Sequence, residues 1–251
     1  MSYFVGATIV SNTNTLNFSL KPVEIEAREK VSSMMAGPKD SEDALLKLCS
    51  ERLPESQFKN VQRTLSYARS LDSTNTSHPS MRAYFSHPVR VAKLALQLLD
   101  QPSEEIVSMG LLHNVFEVTG LTEGDLLESG YSERMASGIR LTTIDRERQY
   151  DEAYLIKFYD RIKQFGDDLA LIKCVDKLDN LLAFELFERT PEIERYLALG
   201  AQFVVPLASQ LSSDLGAYVQ QTIDFMRSAG CNNSLRTQYQ LFLTETEVSA
   251  R

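Results

Sequence analysis

The stretch Leu111-Leu112-His113-Asn114-Val115-Phe116-Glu117 decides how the chain is read. It sets a histidine and, four residues later, a carboxylate into an otherwise apolar run. Residues four apart share one face of a helix. A continuous helix that starts at Ser103 and is stopped by Gly120 would therefore aim His113 and Glu117 the same way. A purely structural explanation is also open, because neutral imidazole is often buried with a hydrogen-bonded nitrogen. The rest of the chain has to separate the two.

Upstream, Tyr84-Phe85-Ser86-His87-Pro88 leads into Val89, Val91, Ala92, Leu94, Ala95, Leu98 and Leu99 at helical spacing. Proline suits the first helical position, where its missing N–H would be unpaired anyway. The pattern thus predicts His87 at the cap of a long amphipathic helix that ends at Asp100-Gln101-Pro102. Downstream, Thr122 and Asp125 read as a capping pair for a short helix that stops at Ser129-Gly130. Ser132 caps another, running to about Leu141. Residues 142–151 are polar and read as a loop, and a helix from Glu152 to Phe165 closes at Gly166. Leu169, Leu171, Ile172, Cys174, Val175, Leu178, Leu181, Leu182 and Phe184 then mark a largely buried helix, with Asp176, Asp179 and Asn180 set into it. Carboxylates are almost never buried alone. Asp176 therefore requires a metal, a cation or a hydrogen-bond network, and a salt bridge to a nearby lysine would suffice.

The remaining segments are also helical. Residues from Pro22 to about Met35, Ser41 to Leu53, 57–71 and roughly 192–227 carry three- and four-residue apolar spacing, the last interrupted near Val205-Pro206. Gly37-Pro38 breaks the first of them, and a last helix is possible from Cys231-Asn232-Asn233-Ser234 to about Phe242. Residues 72–80 form a polar loop that holds His78. Residues 3–10 and 16–20 are rich in β-branched and aromatic side chains and suggest a short hairpin or extended arm. No other segment reads as a strand. The expected architecture is an all-α bundle, with an amino-terminal part at 1–56, a central helical domain at 57–200 and carboxy-terminal helices at 201–251 that pack on it.

Composition narrows the function. The 251 residues carry a formal charge of −8, so no basic excess exists to displace counterions from nucleic acid. The three cysteines form no CxxC pair, which favours reduced thiols. No run approaches the roughly 18 apolar residues of a membrane span. The reading is of a soluble, cytoplasmic protein that binds a small ligand, with the apolar arm as a possible contact between subunits.

His87, His113 with Asn114, Glu117 and Asp176 occur in an order that resembles the HD superfamily of metal-dependent phosphohydrolases, whose pattern is H…HD…D on a helical bundle. The sequence is most similar to the hydrolase domain of RelA/SpoT-type alarmone enzymes. The residues that carry the likeness are Tyr84-Phe85-Ser86-His87-Pro88-Val89-Arg90-Val91-Ala92, Leu111 to Val118, and Ile172-Lys173-Cys174-Val175-Asp176-Lys177-Leu178-Asp179-Asn180. It spans about residues 57–200. The resemblance implies His87, His113 and Asp176 as metal ligands, with Asn114 at the fourth ligand's position. It implies Glu117 as the carboxylate that handles the attacking water, and Asn180, Lys173 and His78 as substrate-side residues. Imidazole and carboxylate ligands suit Mn²⁺, Fe²⁺ or Zn²⁺.

Two departures stand at the centre of this pattern. Asn114 replaces the aspartate of the family motif, removing one negative charge facing the ion. Val118 replaces a second acidic residue and can neither transfer a proton nor accept a hydrogen bond. The resemblance therefore implies a divergent hydrolase of a nucleotide or other small phosphorylated molecule rather than an alarmone hydrolase. The alternative is a degenerate, metal-free binding or regulatory module. Metal-dependent oxygenase chemistry, known on related scaffolds, normally needs more ligands than three histidines easily supply.

Overall fold

The computed structural model describes residues 16–36, 38–71 and 81–249, and what it describes is helical. In chain order the helices are α1 (Val23–Ala36), α2 (Pro38–Arg52), α3 (Glu55–Ser70), α4 (Met81–Leu98), α5 (Glu104–Leu112), α6 (Val115–Val118) and α7 (Glu123–Glu128). They continue with α8 (Glu133–Thr142), α9 (Glu152–Phe165), α10 (Asp167–Leu181), α11 (Pro191–Leu199), α12 (Val205–Leu211), α13 (Ser213–Ala229) and α14 (Asn233–Ser249). The described residues contain no strand. Leu16 makes one isolated antiparallel bridge to Leu99, and the Asn17 N–H donates to the Leu98 carbonyl at 2.8 Å. The expected arm at residues 3–10 and His78 lie outside the described residues. No helix among them is long and apolar enough to cross a membrane.

Helices α4 and α10 are the inner pair. α4 packs on α1, α2, α5 and α10, while α10 also meets α5, α9, α12 and α13. Both are apolar around most of their circumference, which is the composition of a helix enclosed by others. Val89, Val91, Leu94, Leu96 and Leu98 are buried on α4, as are Leu169, Ile172, Val175, Leu178 and Leu181 on α10. Gly110 brings α5 against α4 at backbone distance, since a Cβ there would stand 2.7 Å from the Ala92 Cα. The capping residues act as their sequence suggests. Ser103 and Ser132 accept from the N–H groups of Ile106 and Met135, and Thr122 and Asp125 form a reciprocal capping box.

Three details differ from the sequence reading, and each has a physical cause. His87 is not a cap: α4 starts at Met81 and contains Pro88 in its interior. The good helix formers Met81, Arg82 and Ala83 extend the helix upstream, at the loss of the bond Pro88 would have donated to the Tyr84 carbonyl. The helix expected between Ser103 and Gly120 is not continuous either. It turns at His113-Asn114 between α5 and α6. Thr142 Oγ1 donates to the His113 carbonyl at 2.8 Å, and the Glu117 N–H pairs with the Asn114 carbonyl instead, at 2.9 Å. Finally, the interruption around Pro206 is a widened π turn at Gly200–Val204, where the Val205 N–H reaches back to the Gly200 carbonyl. Pro206 has no N–H for the ordinary bond, so the extra residue is accommodated there.

Candidate metal centre

α4, the α5–α6 turn and α10 bring His87, His113 and Asp176 together in the interior. The two Nε2 atoms are 3.2 Å apart, and Asp176 Oδ1 lies 3.4 Å from that of His87 and 3.6 Å from that of His113. The proton positions follow from the opposite ring nitrogens. His113 Nδ1 stands 2.7 Å from the Gly110 carbonyl, which can only accept. His87 Nδ1 stands 2.7 Å from an Asp179 carboxylate oxygen. Both Nδ1 atoms therefore donate, so in the neutral form each ring presents Nε2 as an acceptor on the side of the Asp176 oxygen. Three acceptors facing one another need a positive charge between them, either a metal ion or a proton.

The residues fit a metal. A four-coordinate ion with bonds of about 2.1 Å spaces its donors about 3.4 Å apart, close to the observed separations. The outer groups fit as well. A carboxylate or carbonyl on the remote nitrogen is the usual support of a ligating histidine, and here Asp179 and Gly110 provide one each. Asp179 is fully buried between His87, Lys30 and Arg90, with Arg90 Nε donating at 2.7 Å. Burial opposes its ionisation, yet Lys30, Arg90 and His87 hold the carboxyl far below its ordinary range. Asp176 behaves likewise: burial opposes the charge, and Lys173 and Lys177 outweigh it, helped by the two histidines.

The cluster opens into a cavity of about 640 Å³ lined by His87, Asp176, Asn114, Glu117 and Asn180 among others. The resemblance assigns these residues to one site, and the fold places them on one space. Glu117 reaches it from beyond the helix break rather than along a shared helical face. Its carboxylate accepts from the Ile144 N–H at 3.1 Å and from Arg146 Nη2 at 2.8 Å. Asn114 lines the cavity half-buried, at the start of α6. Asn180 Nδ2 donates to Asp176 Oδ1 at 2.9 Å, so it orders the cluster. Lys173 also lines the cavity, but it is buried and committed to Asp176 Oδ2 at 3.0 Å and the Thr142 carbonyl at 3.1 Å. Val118 is buried and is not part of the cavity lining.

Sequence reasoning missed Asp179, Arg90 and Lys30. The signal was present in part: Arg90 follows His87, and Asp179 follows Asp176, by one helical turn on faces otherwise filled by apolar residues. Neither a protein-family model nor a curated protein matches the sequence.

Proposed function

We propose that the chain is a divergent metal-dependent phosphohydrolase of the HD type, acting on a nucleotide or other small phosphorylated metabolite. One observation supports this above the rest: two Nε2 lone pairs and a carboxylate oxygen converge at metal-ligand spacing with their outer nitrogens already held. His87, His113 and Asp176 would hold the ion, and the Asn114 amide oxygen is the nearest counterpart of a fourth ligand. A divalent ion bound there would acidify a water and stabilise negative charge developing on a phosphoryl oxygen. Glu117 is the carboxylate on the same cavity that can take a proton. Arg146 and Lys177 are cations on the same wall, suited to the ligand's phosphoryl oxygens.

Charge balance supports an anionic ligand. Arg146 and Lys177 bring positive charge to the cavity lining, and among the described residues Lys177 has no carboxylate within 4.0 Å. A divalent ion increases that positive charge, and a phosphate group relieves it.

A metal-free binding module is the second reading, favoured by the same geometry. A proton can replace the ion between His87 and Asp176. Burial disfavours a charged His87, but its bonds to Asp176 and Asp179 raise its pKa above the ordinary value. Metal analysis of protein purified without chelators, on wild type and Asn114→Asp in parallel, separates the two. The hydrolase reading expects metal in both, bound more tightly by the variant. Metal in the variant alone would mean that the natural chain has given up the site.

A further inference from the structure

The cavity lining holds two chemically distinct sets of residues. One is the polar cluster just described. The other is built from aromatic rings: Tyr159 on α9, Phe184 after α10, Tyr196 on α11, Phe203 in the π turn and Tyr239 on α14. Tyr159 and Phe203 stack nearly parallel, with centroids 5.3 Å apart and 4° between planes. Phe184 meets Tyr196 at 5.2 Å and 57°. The widened turn before Pro206 sets Phe203 in this wall, and such π turns recur at functional sites.

The outer wall comes from α14, which lies beyond the part of the chain covered by the family resemblance. Its Tyr239 and Leu243 line the cavity. α14 is latched to the segment after α10 by the Asn232 N–H donating to the Glu185 carbonyl at 2.7 Å and by an Arg236–Glu188 ion pair.

Two polar groups accompany the aromatic set. Lys177 Nζ sits 5.3 Å from the Tyr196 ring centroid and has no carboxylate within 4.0 Å among the described residues. The Tyr196 hydroxyl is shielded from solvent, with the Asn180 side chain as its polar neighbour.

We infer that the aromatic wall is a compartment for a flat ring, bounded by α14, and that Lys177 receives the anionic linkage between ring and cluster. The ligand class is then a phosphate monoester that carries a planar aromatic or heteroaromatic ring, such as a nucleotide or an aryl phosphate, rather than a sugar or alkyl phosphate without such a ring. Aromatic walls favour such rings through area burial and through offset or edge-on ring contacts. This inference rests on the hydrolase reading for the phosphate alone; the preference for a ring stands on the compartment itself.

Calorimetric titration of the full chain tests it, using uridine 5′-monophosphate, phenyl phosphate, ribose 5-phosphate and inorganic phosphate as probes. The two ring-bearing probes should bind at least about tenfold more tightly than ribose 5-phosphate, the effect of about one good ring contact. The stronger of the two identifies the kind of ring. Tyr239→Ala should erase that difference while leaving ribose 5-phosphate affinity unchanged, and Lys177→Ala should weaken all four probes. Should Tyr239→Ala fail to fold, Phe203→Leu serves in its place. Equal binding of ring-bearing and ringless phosphates overturns the inference. Metal content measured on the same preparations keeps the two proposals apart. Metal present without ring preference refutes only the compartment, whereas ring preference without metal refutes only the hydrolase.

Discussion

Replacing Asp179 by asparagine tests whether this residue positions a metal ligand or only fills the core. One of its oxygens accepts from His87 Nδ1 at 2.7 Å and from Lys30; the other accepts from Arg90 Nε at 2.7 Å. Asparagine keeps one acceptor and puts an NH₂ group in place of the other. Turned toward His87, that NH₂ meets two donors, and His87 relieves the clash by shifting its proton to Nε2, the tautomer that cannot ligate. Turned toward Arg90, it opposes the guanidinium. Either way a buried negative charge is lost, leaving Lys30 and Arg90 with Glu26, which Arg90 reaches at 3.4 Å. Breaking a buried pair on one side costs about 3–5 kcal/mol, and losing the support of a ligating histidine weakens metal binding by about 10–100-fold. Denaturant unfolding and a chelator competition measure the two effects separately. Lys30→Met is the control: it also disturbs the buried network but leaves the His87–Asp179 bond, so stability should fall while metal affinity holds. The reasoning is refuted if both variants lose affinity equally, or if Asp179→Asn loses stability alone. Acid adds an independent check. Asp179 has a depressed folded pKa, so its stabilisation is present above the unfolded value of about 3.9 and is lost as pH falls below it. The wild type should therefore lose stability steeply below about pH 4, and Asp179→Asn less steeply.

Gly110→Ala should destabilise by about 1–3 kcal/mol, because the new methyl meets the α4 backbone at Ala92, and it should also weaken metal binding by shifting the carbonyl that holds His113. Unfolding curves and the same chelator competition measure both. Of the three cysteines, Cys49 and Cys174 are buried, with burial pushing the Cys49 thiol up to about 12 and Cys174 higher still, whereas Cys231 is partly exposed. A thiol reagent at neutral pH should label one site in the native protein and three after denaturation, with mass spectrometry locating the first at Cys231. Because the positive charge on the cavity lining opposes a divalent ion and favours phosphate, inorganic phosphate should tighten metal binding, and metal should tighten phosphate binding by the same factor. Titrations in both orders that show independent binding would contradict that charge argument.

What was legible in the sequence and what was not divides by the range of the interactions involved. Helices follow from apolar spacing that each segment carries within itself, and caps such as Thr122 with Asp125 act within one turn. The clustered trio could be read because His87, His113 and Asp176 are unusual residues on apolar helices, and matching them to an ordered motif needs no distances. The break at His113-Asn114 was not legible, since the hydroxyl that takes the His113 carbonyl belongs to Thr142, 29 residues further on. Asp179 escaped for the same reason: its partners Lys30 and Arg90 lie 149 and 89 residues away. The aromatic set is the extreme case, because Tyr159, Tyr196, Phe203 and Tyr239 belong to four separate elements and each alone looks like an ordinary core ring. Long-range placement thus governs the aromatic lining of the cavity, while local pattern governs the helices and the order of the trio. On the proposed reading, Asn114, the most conspicuous departure in the motif, bears on whether an ion is held, and the choice of ligand rests with residues the motif never mentions.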